Sequence, residues 1–188
     1  MTDTKGNIYT LSALKQVGKF LALFFLFYYT CRLVIGISTP GNYYISFVAK
    51  YLDYIALIRK SLIYGAEIIA HCFGYVTEIR PGYWVRVVYG RGVIVSYSCV
   101  GYGVYSFWCA YVISVSSTTT GRKLRWIFGG LLLLWLINVL RIGLFLVSLN
   151  KRWPMPFGLD QHTIFNILAY TAIFVMIFFH EKSLRNSS

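Results

Sequence analysis

The sequence predicts an all-α membrane protein with about four transmembrane helices, one amphipathic interfacial helix and a small extracytoplasmic β-hairpin. Hydrophobic residues make up 57% of the 188 residues and charged residues only 13%, which is more apolar surface than a soluble domain of this size can bury. The apolar residues fall in runs close to the roughly 20 residues that a spanning helix needs. Aromatic residues, at 19%, are typical of side chains at bilayer interfaces.

The formal net charge of +12 raises the question of nucleic-acid binding. The basic residues, however, sit in short clusters between apolar runs, and no basic face of a soluble module can be drawn. This distribution indicates topology signals and contacts with lipid headgroups, so we expect membrane lipids and no nucleic acid as partners. Residues 1–188 contain no internal repeat and are predicted to form a single integral-membrane domain.

The first predicted span runs from about Val17 to Ile37, interrupted only by Arg32 near its far end. No small-residue cleavage site follows it clearly, so we expect an uncleaved helix. A turn is predicted over residues 38–42. By the positive-inside rule, the basic residues before the run place the amino terminus in the cytoplasm; they are Lys5, Lys15 and Lys19.

The stretch from about Tyr43 to Tyr75 is apolar with a polar stripe at helical spacing, and Arg59 lies off to the side of that stripe. Such a stripe indicates a helix that lies along the membrane surface or packs with the stripe toward the protein. A true span is the competing interpretation. The stripe consists of Asp53, Lys60, Tyr64, Glu67 and His71.

Residues 83–98 predict a β-hairpin, because β-branched and aromatic residues alternate on either side of a turn at Gly90-Arg91-Gly92. The hairpin leads directly to Cys99. Three further spans are predicted, of which the first is short and rich in Gly, Ser and Tyr; they are Cys99–Val115, Trp126–Leu149 and His162–Phe179.

The positive-inside rule brings three polar residues of these spans to one face of the membrane. If the Tyr43–Tyr75 helix does not cross, then Cys99, Arg141 and His162 all lie toward the extracytoplasmic side. The basic loop before Trp126 is then cytoplasmic, as the rule requires, while Lys151 and Arg152 weigh against the assignment. The predicted location is a multi-pass protein of the inner or cytoplasmic membrane.

Each of these residues has a chemical and a purely structural interpretation. Cys99, predicted in the first turn of a helix, is either a thiolate nucleophile favoured by the helix dipole or an apolar filler. Arg141 either faces a polar cavity, together with Asn138 one turn earlier, or snorkels to the headgroups. His162 is a candidate general base, while Asp160 before it is a candidate helix cap.

The four cysteines show neither a CxxC pair nor the spacing of metal ligands, so we expect no metal and no cofactor. A disulfide between Cys31 and Cys72 is left open, since it requires both residues to lie outside the cytoplasm.

The order of these residues resembles the exosortase/archaeosortase family of membrane transpeptidase-like enzymes. The matching pieces are Cys99-Val100-Gly101 at the head of a helix, Asn138-Val139-Leu140-Arg141-Ile142 in the next, and Asp160-Gln161-His162 opening the last. The resemblance covers about Tyr83 to His180. The chain departs from the family at Val100, since the residue after the cysteine is commonly small in relatives.

The resemblance implies a cysteine-dependent peptidase or transpeptidase that cleaves exported proteins bearing a C-terminal hydrophobic helix and basic tail, and transfers them to a surface or lipid acceptor. Cys99 would attack a backbone carbonyl, His162 would carry the proton, and Arg141 would stabilise the oxyanion, with Asn138, Gly101 and Asp160 in support. Two other interpretations stay open: a non-enzymatic assembly or lipid-binding subunit, and a lipid-modifying membrane transferase.

Overall fold

The computed structural model describes residues 3–41, 43–115, 119–152, 158 and 161–185, with side chains from residue 13 onward except at positions 161, 162 and 165. These residues form a mostly helical structure with one small antiparallel sheet, as the sequence predicts. The helices are α1 (Asp3–Ser38), α2 (Ser46–Tyr51), α3 (Tyr54–Cys72), α4 (Tyr102–Ser114), α5 (Thr120–Lys151) and α6 (Gln161–Arg185). The strands are β1 (Thr77–Arg80), β2 (Trp84–Val87) and β3 (Gly92–Ile94), and a 3-10 turn follows over Tyr97–Val100.

Among the described residues, three helices are long and apolar enough to cross a membrane. They are the Ala13–Ser38 part of α1, all of α5, and the Asn166–Arg185 part of α6. The predicted span at Cys99–Val115 is represented by α4, which has only 13 residues. A helix of that length is about 20 Å long, shorter than the ~30 Å hydrocarbon core of a bilayer.

The predicted interfacial stretch 43–75 folds as two helices, because the chain breaks at Leu52 and restarts on Asp53. The Asp53 carboxylate accepts a hydrogen bond of 2.8 Å from the Ala56 amide and thereby caps α3.

The helix α3 runs beside the second half of α5, in the same direction. Trp135 Nε1 donates a hydrogen bond of 3.0 Å to Ser61 Oγ, and two turns further on Ile69 packs against the backbone of Gly143. Any side chain at Gly143 would overlap Ile69, so glycine permits this close approach of the two helices.

The predicted polar stripe of α3 is only partly exposed, because Asp53 and Glu67 are half-buried and Glu67 accepts a hydrogen bond of 2.8 Å from Thr77 of β1. Lys60, Tyr64 and His71 are exposed. The opposite face is buried because it consists of apolar and small residues that fill the space against α5 and the sheet; they include Ile55, Leu62, Ile63, Ala66 and Ala70.

The predicted hairpin is present as β2 and β3, with Val85 opposite Val93. A strand that the sequence did not indicate, β1, extends the sheet on the other side of β2. The alternating valines of β2 and β3 point into the core formed with α3 and α5. The hairpin turn is tied to the end of α5, because the Arg91 amide donates to Asn150 Oδ1 at 2.8 Å and Asn150 Nδ2 donates to the Arg91 carbonyl at 3.2 Å.

A second core lies between α4, α5 and α6, around the fully buried Trp108. On its other side α4 packs antiparallel to α1 through aromatic pairs. Tyr102 lies 5.4 Å from Tyr28, and Phe107 lies 5.2 Å from Phe20, between ring centroids. The segment between β3 and α4 therefore sits where the two cores meet.

All four cysteines are free thiols. Cys31 Sγ accepts a hydrogen bond of 3.2 Å from Tyr54, the first residue of α3, whereas Cys72 is the last residue of that 19-residue helix. The two thiols therefore lie about 27 Å apart along the α3 axis, which excludes the disulfide that the sequence left open.

Candidate functional site

The Cys99 thiol lies at the junction between the sheet and α4, in the 3-10 turn. Its amide donates a hydrogen bond of 3.0 Å to the Ser96 carbonyl, and the residue is half-buried. The sequence predicts Cys99 in the first turn of a helix. That prediction is wrong, because α4 begins at Tyr102 and Cys99 precedes it. The influence of a helix dipole falls off within a turn, so the setting of the thiol depends mainly on side chains from other segments.

A hydroxyl pair that sequence reasoning missed contacts the thiol. Ser96 Oγ lies 3.3 Å from Cys99 Sγ and 2.7 Å from Ser98 Oγ. The pattern Ser-Tyr-Ser-Cys was the available signal, because a single 3-10 turn brings residues three apart onto one side.

Gly101 separates the 3-10 turn from α4 and adopts the left-handed conformation, with φ of 77°. Its carbonyl accepts hydrogen bonds from the Val104 and Tyr105 amides at 2.9 and 3.1 Å, which begins α4. The space around Gly101 would admit a methyl group, so the requirement for glycine comes from the backbone conformation. Gly101 thus supports the site by redirecting the chain after Cys99.

Asn138 of α5 holds the Cys99 peptide in place. Its side chain is 1% exposed, and Nδ2 donates to the carbonyls of Cys99 and Val100 at 2.8 and 3.1 Å. The sequence predicts Asn138 in a supporting role within a cavity, and the structure gives that role specific contacts. Val100, the departure from the family pattern, is fully buried below this contact and points into the protein.

A cavity of about 10 Å³ lies beside this contact, bordered by Gly101, Tyr105, Asn138 and Ala169. The Tyr105 hydroxyl lies next to the Asn138 amide. Neither that hydroxyl nor Asn138 Oδ1 makes a well-aligned hydrogen bond with a described residue, although both are buried. A polar cavity of roughly this volume is about large enough for one water molecule, which would join the two groups.

Arg141 lies one helical turn after Asn138 on α5, and it is half-buried. Its guanidinium lies near enough to Cys99 for the two side chains to interact electrostatically, although 42 positions separate the residues. Asn138 thus contacts the Cys99 segment directly, and Arg141 lies close to that segment on the same helix.

The predicted base His162 is the second residue of α6, and its side chain lies outside the described part of the chain, as does Asp160 altogether. The helices α5 and α6 are antiparallel, because Met176 lies beside Gly130 while Ala169 lies beside Asn138. His162 precedes Ala169 by seven residues, about 10 Å along a helix axis. The α6 backbone therefore carries His162 past the level of Asn138, toward the end of α5 that contains Arg141.

Arg59 of α3 is the main feature near the site that sequence reasoning missed. It is 6% exposed, and its Nε and Nη2 donate to the Val95 carbonyl at 3.0 and 2.8 Å. Its guanidinium lies between two aromatic rings, 3.6 Å from the centroid of Tyr83 and 4.1 Å from that of Tyr97. The signal in the sequence was a charge off the polar stripe, which places it on the buried face of the helix.

The two tyrosines that enclose Arg59 connect it to the Cys99 segment. Tyr97 opens the 3-10 turn, and its hydroxyl lies 3.0 Å from Thr39 Oγ1 at the end of α1. Burial raises the pKa of Tyr83 above its ordinary value, against the opposing effect of the Arg59 charge. Tyr83 therefore stays neutral and offers its ring face to the cation.

Within the described ranges, no group of three or more His, Cys, Asp or Glu side chains is placed to hold a metal ion. No family model, no curated protein and no solved structure matches the chain. The chemistry of the site is therefore argued from its own residues.

Proposed function

We propose that the protein is a membrane-embedded cysteine peptidase or transpeptidase of the exosortase/archaeosortase kind. The observation that carries this proposal is that Asn138 holds the Cys99 peptide against α5, one helical turn from the half-buried Arg141. A guanidinium in an apolar helix costs about 3 kcal/mol or more unless it has a polar partner. A half-buried thiol beside a cation is also the setting in which cysteines become nucleophiles.

The proposed reaction has two steps. The Cys99 sulfur attacks a substrate carbonyl carbon and forms a C–S bond, while His162 takes the thiol proton and Arg141 faces the developing oxyanion. The C–N bond then breaks, and His162 returns the proton to the leaving amine. An acceptor nucleophile next attacks the thioester carbonyl and gives its proton to His162; the C–S bond breaks, which releases the product, and His162 returns that proton to the Cys99 sulfur.

The proposed substrates are exported proteins with a C-terminal hydrophobic helix and a basic tail, and the proposed acceptor is a surface group or a lipid. The proposed orientation has four crossings. The amino terminus and the start of α5 lie in the cytoplasm, and the second half of α5, which packs near Cys99, leads toward the extracytoplasmic side. Because α4 is short, the 3-10 turn that precedes it would complete the crossing, held against α5 by Asn138.

Substitution of the thiol tests this proposal. Cys99→Ala should abolish cleavage of a co-expressed tailed protein, which accumulates at its uncleaved length on an immunoblot. Cys99→Ser should lose nearly all activity, since a hydroxyl is a far weaker nucleophile than a thiolate at neutral pH.

The thiol of Cys72 supplies the control, because Cys72→Ala removes a sulfur that is more exposed than that of Cys99 and lies at the end of α3, outside the 3-10 turn. Normal processing by Cys72→Ala together with failure by Cys99→Ala is the expected pair. Normal processing by Cys99→Ala would end the nucleophile assignment, and with it the proposed reaction.

A further inference from the structure

A second cavity lies at the opposite end of α5 from Cys99. It has a volume of about 520 Å³ and is formed by the first turns of α5, the last turns of α6 and the indole of Trp108 from α4. The side chains that give it chemical character are Arg122, Arg125, Trp126 and Ser183.

The end of the molecule that contains this cavity is strongly basic. Five basic residues lie in the first turns of α5 and the last turn of α6, against one acidic residue, Glu181; they are Arg122, Lys123, Arg125, Lys182 and Arg185. The Glu181 carboxylate accepts a hydrogen bond of 2.7 Å from Tyr111. Among the described residues no carboxylate lines the cavity. The amino-terminal end of the 32-residue α5 adds a positive helix dipole.

The floor of the cavity is apolar and firmly held. Trp108 is fully buried, and its Nε1 donates to the Trp126 carbonyl at 3.0 Å. Its indole packs directly on the backbone of Gly130, where any side chain would overlap it. The neighbouring Gly129 also lines the cavity, and no atom outside the α5 backbone lies within 4 Å of where its Cβ would be. The absence of side chains at these two positions therefore keeps the cavity open.

We propose that this cavity binds a phosphate group, carried by an anionic lipid at the membrane surface. Guanidinium and hydroxyl groups are donors that bind phosphate oxygens, and two guanidinium groups and one hydroxyl line the cavity. A basic rim above a tryptophan floor suits a ligand with an anionic head and an apolar body, and such pockets between membrane helices bind anionic headgroups. Free phosphate carries the same anionic group as the lipid head but lacks the apolar acyl chains.

The site is separate from the cysteine site and does not depend on the proposed function. Asn138 follows Arg122 by sixteen positions along α5, which is about 24 Å along the helix axis. A phosphate at this end therefore cannot take part in chemistry at Cys99.

Native mass spectrometry of the full-length protein in a neutral detergent tests the site. Phosphatidylglycerol should be retained in preference to phosphatidylcholine with the same acyl chains. The double substitution Arg122→Gln and Arg125→Gln should weaken phosphatidylglycerol retention by about tenfold or more, since it removes both charged donors. Inorganic phosphate, titrated separately, shows whether the head alone is sufficient.

Two further variants separate a specific site from general charge or misfolding. Lys151→Gln with Arg152→Gln removes the same charge from the other end of α5 and should leave retention unchanged. Gly129→Leu keeps every charge but places a bulky side chain in the cavity, and it should weaken lipid retention while the protein remains monodisperse.

Equal retention of the two lipids without binding of inorganic phosphate, or full retention by the Arg122/Arg125 double variant, would overturn the site. Full retention by Gly129→Leu would overturn the cavity as its location. Tight binding of inorganic phosphate without preference between the lipids would keep the phosphate site and assign it to a soluble phosphate compound.

Discussion

At the scale of single residues, Asn138 and Arg141 support Cys99 in two different ways. Asn138 fixes the backbone, because its amide donates to two successive carbonyls of the turn. Arg141 brings a positive charge close to the thiol. One helical turn of α5 thus supplies both a geometric and an electrostatic constraint, and each can be removed separately by substitution.

The substitution Arg141→Lys tests whether the guanidinium is needed for its shape or only for its charge. Lysine keeps the positive charge but lacks the planar fork that makes two parallel hydrogen bonds. We expect cleavage of a tailed substrate to fall by about 100-fold, which is typical for loss of one oxyanion donor. The measurement is the single-turnover cleavage rate of purified enzyme in detergent.

The Asn138→Ala variant serves as the comparison for Arg141→Lys, because it should slow cleavage and also lower the unfolding temperature by releasing two buried carbonyls. A full cleavage rate in Arg141→Lys would reduce the role of Arg141 to that of a point charge.

The 3-10 turn with Cys99 is the element on which the other elements converge. The helix α5 holds its carbonyls, while α3 reaches it through Arg59, and α1 reaches it through the contact between Thr39 and Tyr97. A turn of four residues makes few bonds of its own, so its conformation depends on these external contacts. Arg59 is therefore a positioning residue for the thiol.

The substitution Arg59→Gln tests this positioning. It removes the cation between the two tyrosine rings and at least one hydrogen bond to the Val95 carbonyl, so we expect a loss of stability on the order of 2 kcal/mol. Arg59→Lys keeps the charge without the planar stack and should recover only part of that loss. The measurements are thermal unfolding and the rate at which iodoacetamide alkylates Cys99.

The exposed neighbour Lys60 provides the control, since Lys60→Gln removes one charge from the same helix without touching the turn. If Arg59→Gln lowers stability while the alkylation rate of Cys99 stays at the wild-type value, then Arg59 is structural only and does not position the thiol.

At the scale of the whole molecule, α5 organises two regions with different chemistry. Its second half packs against α3 and the sheet and carries the residues around Cys99. Its first half packs against α4 and α6 and ends at the basic cavity. The length of the helix separates these regions by about the thickness of a bilayer core, so the proposed orientation puts them at opposite faces.

Labelling with a membrane-impermeant maleimide in spheroplasts tests the orientation. In a chain whose only cysteine is Cys72, we expect labelling without permeabilisation, because Cys72 is exposed and its neighbour Phe73 packs against Lys151 at the far end of α5. A cysteine introduced at the exposed Gly121 should be labelled only after permeabilisation. The reverse pattern would invert the topology, and labelling of both without permeabilisation would exclude four crossings.

Much of the fold could be predicted because it depends on local pattern. Apolar runs of sufficient length predict the three long helices, and alternation around Gly90-Arg91-Gly92 predicts the β2–β3 hairpin. The pattern gave no sign of β1, a short strand with only one partner. It also overestimated α4, because an apolar run of spanning length includes the 3-10 turn and Gly101, at which the helix cannot continue.

For the candidate site too, the sequence predicts local features, and the tertiary structure decides the contacts between distant segments. The sequence by itself determined which residues carry unusual chemistry: a thiol after a hairpin, and an arginine and an asparagine one turn apart in an apolar helix. Only the tertiary structure decided that Asn138 holds the Cys99 peptide and that the buried Arg59 supports the turn, because these contacts join segments about 40 residues apart. Periodicity reports which face of a helix is buried, but not which partner lies against it.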